Sequence, residues 1–135
     1  MFKLTKIYNS GANVPETCRM YTTAGTAYRI GSALVVTAGK LTNATATSKP
    51  EYIAAESAEK DEKKTLLCYP VFENMLFEAP VAASPASIKT GYKITLSLTD
   101  GFADKLGTST TDGVATVVDM RGATRSGDKI FVKFQ

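Results

Sequence analysis

Short runs of β-branched and aromatic residues, broken every few positions by Gly, Pro, Asn or Asp, restrict most strongly what this chain can fold into. Examples are ALVVT at residues 33–37, KITLSL at 93–98 and KIFVKF at 129–134. Alternation of apolar and polar residues indicates a strand, because successive side chains point to opposite faces of a sheet. The pattern predicts an all-β fold, a small β-barrel or sandwich of about seven to ten short antiparallel strands, with at most about 15% helix.

The chain has 135 residues, the length of one ordinary domain. The regular runs predict a single β domain over residues 26–135. Residues 1–25 join the alternating segment FKLTKI to the turn-rich segment NSGANVP, and we expect an irregular N-terminal arm there. Two hypotheses remain open for the arm. It lies across a neighbouring subunit, or residues 2–8 form the first strand of the domain's own sheet.

The local patterns also predict the core and several details of the strands. GYKITLSL at 91–98 resembles GDKIFVKF at 127–134, which predicts two equivalent strands in one sheet. Pro70, within an apolar run, predicts an edge strand or a bulge. Residues 54–64 and 102–106 are the best candidates for a short helix. The predicted core consists of the apolar residues Ile30, Leu34, Val36, Ile53, Leu67, Phe72, Phe77, Ile94, Leu96, Val117, Ile130 and Val132.

The composition argues against an enzyme. Histidine is absent, which excludes histidine bases, histidine triads and histidine metal sites. Asp100, Asp104 and Asp112 lie in a Gly-rich segment, but their spacing does not match a calcium-binding EF-hand loop, and Asp before Gly is typical of turns. Cys18 and Cys68 lack the close partners of a zinc site, and a disulfide between them is disfavoured in a reducing cytosol. We therefore predict a non-enzymatic protein without a cofactor.

The charge pattern indicates neither nucleic acid nor membrane as a partner. The formal net charge is only +3, and acidic and basic residues are interleaved along the chain. No apolar run approaches the roughly 20 residues that span a bilayer. The first residues also lack the apolar segment of an export signal, so we do not expect secretion through one.

Three blocks of sequence resemble the small head decoration proteins of tailed bacteriophages. They are YRIGSALVVTAGKLT at residues 28–42 with KPEYIAA at 49–55, the strand pair ending in FEAP at 67–80, and GYKITL at 91–96 followed by GVATVV at 113–118 and SGDKIFVKF at 126–134. The resemblance covers residues 26–135, and its motifs consist of strands and turns. Residues 1–25 have no counterpart in it.

The resemblance implies a virion structural protein that binds the outer surface of the capsid and stabilises contacts between major capsid protein subunits. The implied location is the capsid exterior, after assembly in the host cytoplasm. Such a protein acts as a homotrimer or as a single subunit. The alternative is a binding module of a phage tail or head fibre that attaches to a host receptor or glycan. The candidate contacts to capsid or subunit are Phe2, Leu4, Ile7, Val71, Phe72 and Phe77.

Overall fold

The computed structural model describes all 135 residues and contains twelve strands and one short 3₁₀ helix. In chain order the strands are β1 (Lys3–Ile7), β2 (Cys18–Tyr21), β3 (Ala33–Thr37), β4 (Lys40–Asn43), β5 (Tyr52–Ala54), β6 (Thr65–Pro70), β7 (Met75–Pro80), β8 (Lys93–Ile94), β9 (Leu96–Thr99), β10 (Phe102–Leu106), β11 (Ala115–Asp119) and β12 (Lys129–Lys133), and the 3₁₀ helix is Pro85–Ser87.

The strands form two five-stranded sheets and one hairpin. Sheet A has the order β1-β7-β12-β11-β8, sheet B has the order β2-β6-β5-β3-β4, and β9 and β10 form the hairpin. All pairings between these strands are antiparallel. The all-β prediction is confirmed as a sandwich, since neither sheet closes into a barrel. The expected strand number was too low, because residues 93–99 divide into β8 and β9 and because β2 and β10 form in segments where no strand was predicted.

The main hydrophobic core lies between the two sheets. Phe77, Ile130 and Val132 of sheet A and Ile53 of sheet B are fully buried in it. The hairpin closes one side through Leu96, Ala103 and Leu106. Each buried side chain of this size stabilises the fold by roughly 1.5–3 kcal/mol relative to an exposed one, so this cluster accounts for most of the hydrophobic stabilisation.

A second, smaller core lies on the other face of sheet B. Leu34, Leu41 and Leu66 are buried there, under the two loops that carry Tyr28 and Ala58 and that pair with each other at these residues. The Tyr28 hydroxyl donates a hydrogen bond to the Leu41 carbonyl at 2.7 Å and accepts one from the Thr23 backbone N–H at 2.9 Å. Sheet B is therefore covered on both faces.

Four of the predicted core residues are not buried. Ile30 and Phe72 are exposed, because both lie in turns between strands, and Val36 and Leu67 are half-buried. The other eight are buried: Leu34, Ile53, Phe77, Ile94, Leu96, Val117, Ile130 and Val132.

The first 25 residues are part of the sandwich rather than a separate arm. β1 pairs with β7, and β2 pairs with β6. Phe2 is 1% exposed and packs in the main core. The segment looked irregular because only its two short strands are periodic, and turns join them. The structure thus agrees with the hypothesis that residues 2–8 belong to the domain's own sheet.

The remaining local predictions had mixed outcomes. β8 and β12 flank β11 in sheet A, so the two similar motifs begin as equivalent strands, but residues 96–99 leave this sheet for the hairpin. β6 is an interior strand, so Pro70 does not mark an edge strand. Pro70 is the last residue of β6, and at this position only β5 pairs with the strand. Neither helix candidate forms a helix: residues 102–106 are β10, and residues 54–64 are mainly turns.

Candidate functional site

The six predicted contact residues have different environments. Phe2 and Phe77 are completely enclosed in the main core, so neither side chain is available to a partner in this fold. Leu4, Ile7 and Val71 are partly buried against that core. Phe72 alone is freely exposed, at 57%. The segment from Val71 to Phe77 is also not a free sheet edge, because β7 lies between β1 and β12.

Phe72 stands in the turn between β6 and β7, and the backbone holds this turn in place. The Met75 N–H donates to the Phe72 carbonyl at 3.1 Å. Asn74 connects the turn to the end of β1 by two hydrogen bonds. Its side-chain amide donates to the Tyr8 carbonyl at 2.9 Å, and its backbone carbonyl accepts from the Tyr8 N–H at 2.8 Å. The exposed ring is therefore presented by an ordered turn.

A mainly apolar groove of about 390 Å³ lies on one side of the Phe72 ring. Val14, which is 78% exposed, is one of its lining residues. We call this groove together with the ring the Phe72 surface. It is lined by Ile7, Ser10, Ala12, Val14, Pro15, Glu16, Pro70, Phe72, Asn74 and Met75.

A second, more polar groove of about 460 Å³ lies on the other side of Phe72. Lys49 and Glu51 contribute charge to it, and Pro50, Tyr52, Pro70, Val71 and Phe72 also line it. Lys49 and Glu73 approach each other at 3.9 Å across exposed surface. Phe72 lines both grooves and thus forms a ridge between the apolar and the more polar one. This shape is suited to insertion into a partner's pocket.

Two of the three aspartates of the Gly-rich segment, Asp100 and Asp104, contact Arg29. Asp104 is 8% exposed, and its carboxylate lies 3.2 Å from the Arg29 guanidinium. Asp100 is 3.9 Å from the same guanidinium, which also lies 4.4 Å from the centre of the Phe102 ring. Arg29 therefore connects the loop before β3 to the hairpin. The described residues contain no group of three or more His, Cys, Asp or Glu side chains able to hold a metal ion.

The two cysteines lie directly across from each other on the paired strands β2 and β6. Cys18 pairs with Cys68 in the strand register, and their Sγ atoms are 3.9 Å apart as free thiols. Burial, together with the neighbouring Cys18, raises the pKa of Cys68 to about 12. The prediction of a buried Cys68 thiol is confirmed, and this thiol is a poor nucleophile at neutral pH because so little of it is ionised.

Sequence reasoning missed the contribution of Val14 to the Phe72 surface. Val14 lies in a segment without periodicity, and only the pairing of β1 with β7 brings its loop beside Phe72. An isolated apolar residue in a turn-rich segment was the one available signal, and it does not say which surface the residue joins.

The fold and this surface define an antiparallel two-sheet β-sandwich with an exposed apolar ridge. None of its helices is long and apolar enough to cross a membrane. No protein-family model matches the sequence, and no curated protein matches it.

Among solved structures, the chain is similar to the N base of the head fibre protein gp8.5 of bacteriophage phi29. The TM-score is 0.55, the sequence identity is 13%, and the match covers 89% of this chain and 95% of that chain. The two chains therefore share a fold over nearly their whole lengths.

Proposed function

We propose that this protein is a non-enzymatic structural component of a phage virion that binds the outer capsid surface and stabilises contacts between major capsid protein subunits. The observation that carries the proposal is the fold shared with the base of a phage head fibre over 89% of the chain. The sequence motifs that resemble those of head decoration proteins also support the proposal.

The Phe72 surface supplies a mechanism for attachment. An exposed aromatic ring on an ordered turn loses little conformational entropy when it binds, and burying it removes apolar area from water. Such rings typically contribute a large share of an interface's binding free energy. The two hydrophobic cores keep the Phe72 turn in position. The sandwich would therefore present the Phe72 surface to neighbouring capsid subunits as a rigid body.

Co-sedimentation tests the proposal. The purified protein should pellet with expanded, DNA-free capsids of the virus that encodes it, and the decorated capsids should resist heat better than bare ones. Phe72→Ser should weaken binding by about thirtyfold, as expected for an interface residue worth about 2 kcal/mol. Leu98→Ser is the matched control, since Leu98 is 40% exposed on the hairpin and lies outside both grooves. A wild-type protein that stays in the supernatant would contradict the proposal.

We further propose that the protein acts as a homotrimer, with a single subunit per binding site as the alternative. Capsid lattices contain positions where three subunits meet, and a trimer matches that symmetry. Sedimentation equilibrium distinguishes the two forms, because one chain has a mass of 14.4 kDa. A species of three times that mass supports the trimer, and a species of one chain supports the monomer.

The second candidate is a binding module of a phage head or tail fibre that attaches to a host receptor or glycan. A solved structure similar to this chain is the N base of a head fibre protein, which supports a role in a fibre as the second candidate. Binding to host cells or to a glycan array, without binding to capsids, would support it over the first.

A further inference from the structure

The outward face of sheet A carries a concentration of positive charge that the sequence alone does not show. Alternation along the strands separates the buried residues Ile130, Val132 and Phe134 from the outward Lys129, Phe131 and Lys133. The same face receives cations from β1 and β8 and from the turn after β11. We call it the basic face, defined by the cations Lys3, Lys6, Lys93, Arg121, Lys129 and Lys133, the carboxylates Glu78 and Asp119, and the rings Tyr8 and Phe131.

The strand register places these side chains in rows. Asp119 of β11 is opposite Phe131 of β12, Phe131 is opposite Glu78 of β7, and Glu78 is opposite Lys3 of β1. Neighbouring strands are about 4.8 Å apart, so such a row extends across about 15 Å of the sheet. Lys93 and Lys133 both lie opposite Thr116 in a second row.

The charge on the molecule is therefore asymmetric. The basic face has six cations and two carboxylates, a net charge of +4, whereas the whole chain carries +3. The remaining ten cations and eleven carboxylates sum to −1. The loop carboxylate of Asp128, next to β12, accepts hydrogen bonds from the Thr124 and Arg125 backbone N–H groups and so is directed into its own loop.

Contacts with aromatic rings hold several of these cations against the sheet. The ammonium groups of Lys6 and Lys133 lie 4.6 Å and 4.2 Å from the centre of the Tyr8 ring. The Arg121 guanidinium lies 4.4 Å from the centre of the Phe131 ring. Cation–π contacts of this kind restrict long side chains that would otherwise be mobile, which lowers the entropy lost when they meet a partner.

We propose that the basic face docks onto an acidic protein surface. The deduction rests on the proposed function, under which that surface belongs to the capsid exterior. A carboxylate-bearing protein fits better than a nucleic acid for two reasons. The rings that could stack on bases are already covered by cations. Glu78 and Asp119 interrupt the positive charge and would repel a continuous phosphate backbone, but they leave discrete positions for partner carboxylates.

Charge reversal with a matched control tests the assignment. The test variant is Lys3→Glu, Lys93→Glu, Lys129→Glu, which changes three exposed residues on three strands of the basic face. The control is Lys40→Glu, Lys60→Glu, Lys64→Glu, which makes the same charge change at exposed positions outside it. Thermal unfolding of both variants establishes that each is folded before binding is compared.

Two probes are used, expanded empty capsids and immobilised poly-L-glutamate, each at about 50 mM and about 500 mM NaCl, since salt screens exposed charges. We expect the wild type and the control to bind both probes at low salt and the test variant to bind at least about tenfold more weakly. Equal capsid binding by all three proteins would overturn the docking assignment and leave the proposed function intact.

If no protein binds capsids, the proposed function fails, and poly-L-glutamate then decides the docking assignment alone. Selective loss of poly-L-glutamate binding by the test variant supports it, and no difference from the control overturns it. Tighter wild-type binding to a single-stranded oligonucleotide than to poly-L-glutamate, lost in the test variant, would also overturn it and indicate a nucleic-acid partner.

Discussion

The rings of Phe2 and Phe134 meet edge to face in the main core, with their centroids 5.4 Å apart and their planes at 75°. Phe134 also contacts Phe77, at a centroid distance of 5.1 Å. Phe2 and Phe134, near the two ends of the chain, thus pack together beside Phe77 of β7. This contact makes the start of β1 part of the core.

Replacing Phe2 with alanine should therefore destabilise the whole domain. A buried Phe→Ala substitution costs about 3–5 kcal/mol, out of a total stability of about 5–15 kcal/mol. We expect the thermal midpoint to fall by about 10–20 °C. Phe2→Leu, which keeps most of the volume, should cost less than about 1.5 kcal/mol. A thermal midpoint unchanged by Phe2→Ala would show that β1 is not integral to the fold.

Gly113→Ala should destabilise the junction of β8 and β11. A Cβ atom at Gly113 would collide with the carbonyl group of Lys93 and lie 2.7 Å from the Ile94 nitrogen. Backbone cannot move aside as a flexible side chain can, so we expect a loss of about 1–3 kcal/mol, measured by urea unfolding. Gly11→Ala is the control, because nothing lies within 4 Å of its Cβ position. Equal stabilities for the two variants would contradict this packing.

The ionised carboxylate of Glu56 should stabilise the domain at neutral pH, and this stabilisation should be lost in acid. Its carboxylate accepts hydrogen bonds from the Leu67 backbone N–H and the Lys63 ammonium, both at 2.9 Å. The Leu67 N–H first, and Lys63 next, lower the pKa of Glu56 below its ordinary value of 4.5. The stabilisation is therefore complete above that value and is lost as the pH falls through the folded-state pKa.

Glu56→Gln should accordingly cost about 1–2 kcal/mol at neutral pH and less at an acidic pH below the folded-state pKa. Urea unfolding at both pH values measures the difference. Glu59→Gln is the control in the same loop, since the Glu59 side chain is exposed and makes no hydrogen bond or ion pair in the structure. A cost for Glu56→Gln that does not change with pH would contradict a role for the charged carboxylate.

Cys18 and Cys68 should form a disulfide when the protein is treated with oxidised glutathione. Directly opposed residues of an antiparallel pair have Cα atoms about 4.5–5.5 Å apart, within the range that a disulfide spans. The mass should fall by two hydrogen atoms without dimerisation. The reaction should accelerate with rising pH, because the pKa of Cys68 is raised to about 12. Cys18→Ser should abolish the bridge, and intermolecular dimers in place of it would contradict the pairing.

The sequence predicted the fold class because strand periodicity is a local property. Ile130, Val132 and Phe134 alternate with polar or outward residues, and all three are buried. The same local reasoning failed at Ile30 and Phe72, since an apolar residue in a turn looks like one in a strand until the turn's direction is known.

Long-range pairing could not be predicted from periodicity. The register that places Cys18 beside Cys68 depends on β2 reaching β6 across the intervening strands. The basic face could not be predicted from the sequence for the same reason. Its cations are scattered from residue 3 to residue 133, where they alternate with acidic residues along the chain, and only the order of strands in sheet A gathers them.

The position of β7 between β1 and β12 has a consequence for biosynthesis. A ribosome releases the chain from its N-terminus, so β1 and β7 can pair early, but one edge of β7 waits until residues 129–133 have emerged. Unpaired strand edges promote aggregation, and distant pairings form slowly. We therefore expect sheet A to close only after translation of the last strand, with one edge of β7 open until then.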